Sequence, residues 1–557
     1  MKKLLTIMIA GSLTACSGGS GGSSGHPVNI TVTGLQGELQ LSSGNESVTI
    51  TTSGSNSFNG LTASSVPAIS IDKMPANQNC TFDLNGELQE GQWQYAISCQ
   101  DKSWTVETEE SAKSIDGGSI DLVATELDSK GDGFKIWRQS VGSTTSLWAQ
   151  RRVGDSWQAA QQLTADGRCT SSQGADESTV QTVNNFDLAV SENGRAVILC
   201  EERHSGLASN TRLSTNAVFS KLFALTFDGS EWSLPAASDD HLNSNLSLAY
   251  VLFPQAGIAN NGDVAFSWRQ GNALYMAENR KGVWSIPAVL SLARPSSNEL
   301  KMNSDGTTVI ATVLTNGVIT PPVDTYVHHY LDGSWQEVVK LSTSHKDGVK
   351  GLGDVDVALS ESGQVLVAWN AYLSSASTSL EQRQYLFFSE YNGSEWVTPE
   401  SEQDGVQQGE IHELNTFSIA MNDNDQALIS WNQRTVSEST KDVFISERMG
   451  GNWSHKNNSF SAILEEVNHY PSQSVVSNNG DAVVQLFHPQ ERYDSVVLLH
   501  KRNDDWGNLL TVSPVDKAYY DNEPVSLNLS EEGEGFVDWI GEHSVDSKYL
   551  LFTSEYR

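Results

Sequence analysis

The chain has 557 residues, too many for one ordinary hydrophobic core, so two or more domains or one large repeat array are expected. Its 68 acidic and 34 basic residues give a formal net charge of -34. Affinity for nucleic acid and for anionic lipid comes mainly from Lys and Arg, so this composition excludes nucleic acid as a partner. The charge favours a highly soluble surface, with cation binding or an acidic display surface as functional alternatives.

The first residues have the three parts of a secretory signal: two lysines, an apolar run over 4–13, and small residues. The run is too short to remain as a membrane-spanning helix. It ends in Leu13-Thr14-Ala15-Cys16, which resembles the bacterial lipobox. The resemblance implies that the signal peptide, residues 1–15, is removed and that Cys16 is acylated with chains such as palmitate, which anchor it to membrane lipid. Because residue 17 is Ser rather than Asp, the resemblance implies an outer-membrane lipoprotein, on either the periplasmic or the cell-surface side.

A linker at 16–26 follows, and it contains only Ser and Gly from residue 17 to residue 25. Such a flexible coil reaches roughly 15–20 Å from the lipid surface. Four further cysteines, an even number in an oxidising compartment, indicate two disulfides. Three pairings are open in principle, and local pairing of Cys80 with Cys99 and of Cys169 with Cys200 fits the domain organisation.

Residues 27–100 contain short alternating or β-branched segments between Gly, Ser and Asn turns, without a helical period, which predicts a small β domain. The segments 34–37 and 74–80, together with Cys99, resemble a β-sandwich module that is common in secreted bacterial proteins. The resemblance implies a Cys80–Cys99 disulfide, and a bridge worth about 2–4 kcal/mol would help so small a core. A stalk or spacer role is expected for this domain.

From residue 101 onward the sequence is repetitive. A unit made of an apolar strand, a tight Asn/Gly or Ser/Gly turn and a second apolar strand occurs at 186–200, 255–268 and 355–369. Weaker copies have their turns at Gly131, Gly306, Asp425, Gly480 and Gly533. Each copy predicts a β-hairpin. A second hairpin, marked by a turn and a tryptophan as in the segment 227–232, follows most copies.

Two hairpins per repeat give four strands, which is one propeller blade. The sequence therefore predicts an all-β chain: an eight-bladed β-propeller over 101–557, preceded by the small β-sandwich domain. Seven blades result if the weak copy around Gly306 is irregular. The last copy stops three strands into its blade, and the segment 103–109 is expected to supply the fourth strand. A strand in that place closes the ring and removes exposed sheet edges.

Five copies have a tryptophan six residues after the turn position, at Trp137, Trp268, Trp369, Trp431 and Trp539. A sugar-stacking role is the functional alternative for these rings. Repetition at a fixed strand position favours packing between blades instead.

One face of the predicted propeller carries the connections between blades and between second and third strands. These connections include the long irregular stretches 165–185, 203–221, 237–253, 371–383 and 402–416, and we refer to this side as the long-loop face. Variable loops on a regular frame are typical binding surfaces, so the long-loop face is the predicted binding site. The second strands bring to it Arg138, Arg203, His204, Arg269, Tyr372, Arg434 and His488. Arginines there could bind a carboxylate or sulfate, although each could instead pair with a neighbouring Asp or Glu.

The turns of the second hairpins are similar to degenerate Asp-box turns of the sialidase-like propellers, the nearest copy being 224–232. In that family these turns are structural and lie away from the active site, so the resemblance concerns the fold of roughly 103–557. A sialidase also needs three arginines, a Tyr-Glu pair and an acidic Asp, and the sequence shows no Arg-Ile-Pro segment and no assignable Tyr-Glu pair. No catalytic residue, metal ligand or cofactor motif is assigned, and an enzymatic role is not favoured.

Three functions remain open. The first is an outer-membrane-anchored propeller that binds a glycan or an envelope protein through the long-loop face. The second is a sialidase-like glycoside hydrolase or lyase that acts on an acidic polysaccharide, which a deep pocket with paired carboxylates would favour. The third is a scaffold subunit of an envelope assembly, which a broad apolar rim would favour.

Overall fold

A computed structural model describes most of the chain beyond residue 24. The described residues are 25–75, 78–105, 117–142, 144–154, 156–163, 169, 172–173, 180–206, 217–233, 241–244, 246, 249–315, 323–342, 353–374, 382–398, 406, 411–435, 442–454, 462–464, 470–488, 495–502, 505–513, 526–530, 534–542 and 549–556. The proposed signal peptide and Cys16 lie outside them. Within these ranges, no helix is long and apolar enough to cross a membrane. The chain divides into two compact units, Met1–Lys102 and Ser103–Arg557.

The first unit is a pair of small sheets. Its strands are β1 (His26–Thr33), β2 (Leu39–Ser43), β3 (Glu46–Ile50), β4 (Gly54–Ala63), β5 (Ser70–Lys73), β6 (Gln78–Gln89) and β7 (Gln92–Asp101). One sheet has the order β4-β1-β7-β6, with β1 and β7 parallel, and the other has the order β3-β2-β5. Alternate residues such as Ile30, Val32 and Ile97 are fully buried between them. The predicted Cys80–Cys99 disulfide is confirmed, and it joins directly opposed residues of β6 and β7.

The second unit contains eight sheets in the described residues, and they follow one another along the chain. The first sheet consists of β8 (Ser119–Leu127), β9 (Gly133–Val141), β10 (Thr144–Val153), β11 (Ser156–Trp157) and β12 (Gln161–Gln162). The second sheet consists of β13 (Ser172–Gln173), β14 (Val180–Val190), β15 (Ala196–Gly206), β16 (Ala217–Phe227) and β17 (Trp232–Ser233), and the third of β18 (Val251–Ile258), β19 (Val264–Gln270), β20 (Ala273–Arg280), β21 (Val283–Trp284) and β22 (Ala288–Ser291). The fourth sheet consists of β23 (Arg294–Met302), β24 (Thr308–Thr315), β25 (Val323–Leu331), β26 (Ser334–Trp335) and β27 (Val339–Lys340).

The remaining four sheets have the same antiparallel order. The fifth sheet consists of β28 (Val355–Leu359), β29 (Val365–Ser374), β30 (Gln382–Tyr391) and β31 (Trp396–Val397). The sixth sheet consists of β32 (Ile411–Met421), β33 (Ala427–Thr435), β34 (Asp442–Met449), β35 (Asn452–Trp453) and β36 (Ala462–Leu464), and the seventh of β37 (Tyr470–Val476), β38 (Ala482–His488), β39 (Ser495–Arg502), β40 (Asp505–Trp506) and β41 (Leu510–Thr511). The eighth sheet consists of β42 (Ser526–Leu529), β43 (Gly535–Glu542) and β44 (Tyr549–Tyr556). The all-β, propeller-type fold is confirmed, and the blade number of eight stays a prediction.

The first long strands of the eight sheets form a closed series, and we call them the inner strands. They are β8, β14, β18, β23, β28, β32, β37 and β42; each contacts the next, and β42 contacts β8. Turn residues such as Gly194 and Gly262, with φ of 76° and 86°, connect inner strands to second strands. A residue with a β-carbon is strained in this conformation, which explains why glycine recurs at the turn position.

The two ends of the second unit meet at β44, the outer strand of the last sheet. Trp104 forms an antiparallel bridge with Tyr556, and the backbone N–H of Thr105 donates to Glu555 at 2.9 Å. In the neighbouring core, the Lys135 ammonium lies 2.6 Å from the Asp538 carboxylate, and both side chains are at most 4% exposed. This buried ion pair links the first sheet to the last.

The five repeated tryptophans are core residues, and each is at most 4% exposed. Each ring stacks on an aromatic ring of the third strand: Trp137 on Trp148, Trp268 on Tyr275, Trp369 on Phe387, Trp431 on Phe444 and Trp539 on Phe552. Three of them donate their indole N–H to a glutamine two residues later, at Gln139, Gln270 and Gln433. Packing, rather than sugar stacking, therefore explains the repetition.

Candidate functional site

The predicted binding residues lie at the ends of second strands in several sheets. Arg138 in β9 and Arg434 in β33 are partly buried. The strands that carry the other four residues are described, but these side chains lie outside the described residues: Arg203, His204, Tyr372 and His488. Their convergence on a ligand stays a prediction.

Arg269, the remaining predicted binding residue, is held by the protein itself. Its side chain is only 6% exposed. Nε donates to the backbone oxygen of Gly271 at 3.1 Å, and one terminal nitrogen donates to that of Pro295 at 3.0 Å. The guanidinium therefore connects β19 to the next inner strand, β23, at the long-loop face.

The predicted pairing of Cys169 with Cys200 is confirmed, and the disulfide ties the long stretch 165–185 to strand β15. Two buried carboxylates beside it were missed by the sequence analysis. Glu202 accepts a hydrogen bond from the backbone N–H of Cys169, and Glu201 accepts one from Ser220. Consecutive glutamates next to a disulfide cysteine were the available signal: Glu202 holds the connection at Cys169, and Glu201 binds the neighbouring strand β16.

A cavity of about 800 Å³ lies along six of the eight inner strands, β8, β23, β28, β32, β37 and β42. Its wall is rich in hydroxyl and amide groups, which come from Thr125, Thr416, Ser418, Ser472, Gln473, Ser474, Ser526 and Asn528. The buried hydroxyl oxygens of Thr416 and Ser472 make no hydrogen bond within the described residues. Buried polar groups are normally paired, so these two hydroxyls are exceptions within the wall.

Inner-strand side chains also bond to the backbone of the next inner strand. Backbone N–H groups donate to these acceptors: Val190 to Glu126 at 3.1 Å, Ala256 to Asp187 at 2.7 Å, Ile419 to Asp356 at 3.0 Å, and Leu527 to Gln473 at 2.7 Å. Neighbouring sheets are therefore joined by hydrogen bonds to acidic and amide side chains at the inner edge of the ring.

The acidic side chains among them have raised pKa values. Burial is the main cause of the raised pKa of Asp187, to about 8, and the charges of Glu126 and Glu299 add to it. Burial likewise raises the pKa of Asp356 to about 7, with a further contribution from Glu299. Burial also raises the pKa of Glu126. The carboxyl groups of Asp187 and Asp356 thus exchange protons near neutral pH.

Lys301 is the cation of this group. Burial acts to lower the pKa of Lys301, but the charges of Glu299, Glu126, Asp356 and Asp187 outweigh it and raise the pKa above its ordinary value. The ammonium lies 3.3 Å from Glu299, and the lysine side chain is 45% exposed. An ion pair so open to water contributes little stability by itself. Its main effect is to offset part of the negative charge beside the cavity.

Asp354 is a second carboxylate in the wall, immediately before β28 and two residues before Asp356. Its side chain makes no hydrogen bond or ion pair within the described residues, since its bonds to Asn370 use backbone atoms. Burial raises the pKa of Asp354 above its ordinary value. The wall of β28 therefore presents two carboxyl groups of raised pKa to the cavity.

The repeat contains a signal for these residues that the sequence analysis did not use. Seven residues before the turn glycines of four copies stand Asp187, Gln255, Glu299 and Asp356. Polar residues at one fixed position of an otherwise apolar strand indicate a common environment. The structure places that position at the inner edge of the ring.

The stability of the ring is expected to depend on the ionisation of Asp187. Its pKa rises from 3.8 in the unfolded chain to about 8, so the folded protein binds more protons between these values and its free energy of unfolding falls as pH rises. Asp187→Asn retains the acceptor for Ala256 and removes this ionisation. Urea unfolding at pH 5 and pH 8 should show a shallower fall for the variant, which should be about 1–2 kcal/mol more stable than wild type at pH 8. Parallel pH profiles would contradict this.

The Asp-box-like turns are local structures, as the resemblance implied. Asp228 accepts hydrogen bonds from the backbone N–H groups of Ser230 and Glu231 and from the Ser230 hydroxyl. These bonds, led by the one from the Ser230 hydroxyl, lower the pKa of Asp228 to about 2. Asn392 forms the same bonds in a later sheet. Since an amide serves as well as a carboxylate, the position closes a turn.

No group of three or more His, Cys, Asp or Glu side chains within the described ranges could hold a metal ion.

No protein-family model matches the chain, and no curated protein sequence matches it. Three similar solved structures are enzymes or lectins that act on or bind sugars. The polysaccharide lyase Uly1 is 8% identical over 86% of this chain and 99% of its own, with a TM-score of 0.39. The Penicillium chrysogenum α-L-arabinanase complexed with arabinobiose is 12% identical over 54% of this chain and 92% of its own, with a TM-score of 0.34. The Aleuria aurantia lectin in complex with α-methyl-L-fucoside is 14% identical over 63% of this chain and 97% of its own, with a TM-score of 0.27. At these scores the similarity carries no argument about activity, so the function must be argued from the residues of this chain.

Proposed function

We propose that this protein is a lipid-anchored propeller that takes a glycan into the cavity along its inner strands. The observation that carries the proposal is the wall of the cavity of about 800 Å³, in which hydroxyl, amide and carboxyl groups predominate among the polar side chains. Sugars offer both donors and acceptors around a ring, and such a wall can pair with them in many directions.

The charge of the wall favours neutral sugars in the cavity itself. Glu126, Glu299, Asp354 and Asp356 line it, and Lys301 is the cation among its lining residues. Excess negative charge repels an anionic group that enters. An acidic polysaccharide, the substrate class of the hydrolase or lyase alternative, would therefore place its charged groups outside the cavity.

The anchor belongs to the same proposal. Acylation at Cys16 and the flexible linker at 16–26 would hold the propeller near the outer membrane, where glycans and envelope proteins are the available partners. The support is the lipobox-like segment 13–16.

Binding can be tested directly with the soluble ectodomain from Gly25 onward, which retains both folded units. Titration calorimetry against a panel of neutral and acidic oligosaccharides should give saturable binding to at least one neutral sugar chain. A folded sample that binds no member of the panel would contradict the proposal.

Glycan cleavage, by a hydrolase or a lyase reaction, is the second candidate function, and the pair Asp354 and Asp356 favours it. Carboxyl groups with raised pKa values in a cavity are the usual general acids and bases of glycan cleavage. Asp356→Asn keeps a side-chain oxygen that accepts from the backbone N–H of Ile419, but the amide cannot take up or release a proton as the carboxyl group does. If the protein is an enzyme, mass spectrometry should detect fragments from a bound glycan with wild type and at least 100-fold fewer with the variant. Binding without fragments would exclude cleavage of that glycan.

A further inference from the structure

Two exposed aromatic residues stand at the start of inner strand β18, where the long stretch 237–253 meets the third sheet of the unit. Tyr250 is 44% exposed and Phe253 is 38% exposed, although neighbouring Val251 is completely buried. We call Tyr250, Phe253 and the arginines beside them, Arg269 and Arg294, the aromatic platform. Both rings lie beside the same guanidinium, that of Arg269, which distinguishes them from exposed apolar side chains scattered elsewhere on the surface.

The backbone at Phe253 is strained. Its φ of 52° lies in the left-handed region, which a bulky residue rarely adopts. The register of β18 against β19 shifts here, so Phe253 and Pro254 form a bulge. Bulges recur at this point in other sheets, but the positive φ is particular to Phe253 among these bulge residues, and backbone strain of that kind is concentrated at functional sites.

Hydrogen bonds hold the strained segment in place. The side-chain amide of Asn298 donates to the backbone oxygen of Phe253 at 3.2 Å and to Ser267 at 3.2 Å. Asn298 is 4% exposed and directly precedes the cavity residue Glu299. Asn298 therefore connects the platform to inner strand β23, whose Glu299 and Lys301 line the cavity.

The platform carries positive charge in a strongly acidic protein. Arg269 lies under the Phe253 ring, with its guanidinium carbon 6.0 Å from the ring centre, and it also interacts with the Tyr250 side chain. Arg294, the first residue of β23, is exposed and close enough to act electrostatically on Arg269. Arg269 is buried and bonded to backbone oxygens, so Arg294 is the exposed cation here; an exposed cation near two exposed rings matches a sugar ring that carries an anionic group.

From this geometry we infer that the aromatic platform binds an acidic pyranose, a uronate or a sulfated sugar, at the edge of the cavity. The apolar face of the sugar stacks on Phe253 and Tyr250, and its carboxylate or sulfate lies toward Arg294. The acidic wall keeps that group outside while neutral residues of the same glycan enter the cavity. This inference rests on the proposed glycan binding and adds the class of sugar at one position.

The test uses Phe253→Gly, because glycine accepts a φ of 52° and removes only the ring. The free energy of unfolding should stay close to that of wild type, while affinity for oligogalacturonate should fall at least tenfold. Trp284→Ala, which removes another exposed aromatic ring in the outer strand β21, should leave affinity unchanged. Arg294→Gln should reduce binding of oligogalacturonate but not of neutral maltohexaose.

The outcomes separate the two claims. A folded wild type that binds neither probe nor any other glycan of the panel would contradict the proposed function and this inference with it. Oligogalacturonate binding that Phe253→Gly leaves unchanged would overturn the platform alone. A tenfold loss in Phe253→Gly with no loss in Trp284→Ala is the expected result.

Discussion

Replacement of Asp538 by alanine is expected to destabilise the second unit by about 3–5 kcal/mol, because it leaves the Lys135 ammonium buried without its partner. The two groups are 2.6 Å apart, with side chains 0% and 4% exposed. Thr125 and Thr553 also donate to the Asp538 carboxylate, so three groups lose their acceptor together. The effect should be large because the pair joins the first sheet to the last, where the chain itself is not continuous.

Urea unfolding followed by tryptophan fluorescence measures this loss. Glu278→Ala is the matched control, since the Glu278–Arg280 ion pair lies within one hairpin and is partly exposed. The control should cost less than about 1 kcal/mol. Lys135→Met combined with Asp538→Ala should recover part of the stability, because no unpaired charge remains. A loss below about 1 kcal/mol for Asp538→Ala would show that the buried pair does not hold the ends together.

The strand pattern could be predicted because it is local. Alternating apolar residues on both sides of turns such as those at Gly194 and Gly262 define hairpins without knowledge of any distant residue. The repeated tryptophans were correctly assigned to the core for the same reason. The glutamine that follows three of them by two residues could have been recognised, and its hydrogen bond to the indole is the physical reason for that spacing.

The site could not be predicted to the same extent, because its parts come from different sheets. Arg269 looks like a ligand for an anion in the sequence, but the oxygen of Pro295, in the next sheet, occupies one of its donors. Asp356 looks like a polar residue in an ordinary strand, and its raised pKa depends on burial and on Glu299 of the preceding sheet. Only the closed series of inner strands brings these groups together.

Closing the cavity with a large side chain should abolish glycan binding. Thr416 lies in the wall in the middle of inner strand β32, and its hydroxyl makes no hydrogen bond in the described part of the chain. Thr416→Trp places an indole in the space that a sugar ring would occupy, and the affinity should fall at least 100-fold, which is about 2.7 kcal/mol. Thr416→Ser keeps the hydroxyl and should bind within about threefold of wild type. Val338→Trp adds the same ring at a position 47% exposed outside the cavity and should bind like wild type.

The most direct measurement is calorimetric titration of wild type, Thr416→Trp and Val338→Trp with a neutral oligosaccharide that wild type binds, after circular dichroism has shown equal folding. If the glycan binds in the cavity, we expect saturable binding to wild type and to Val338→Trp and no detectable heat with Thr416→Trp. Equal affinities for all three proteins would contradict it, because the glycan would then bind elsewhere than in the cavity.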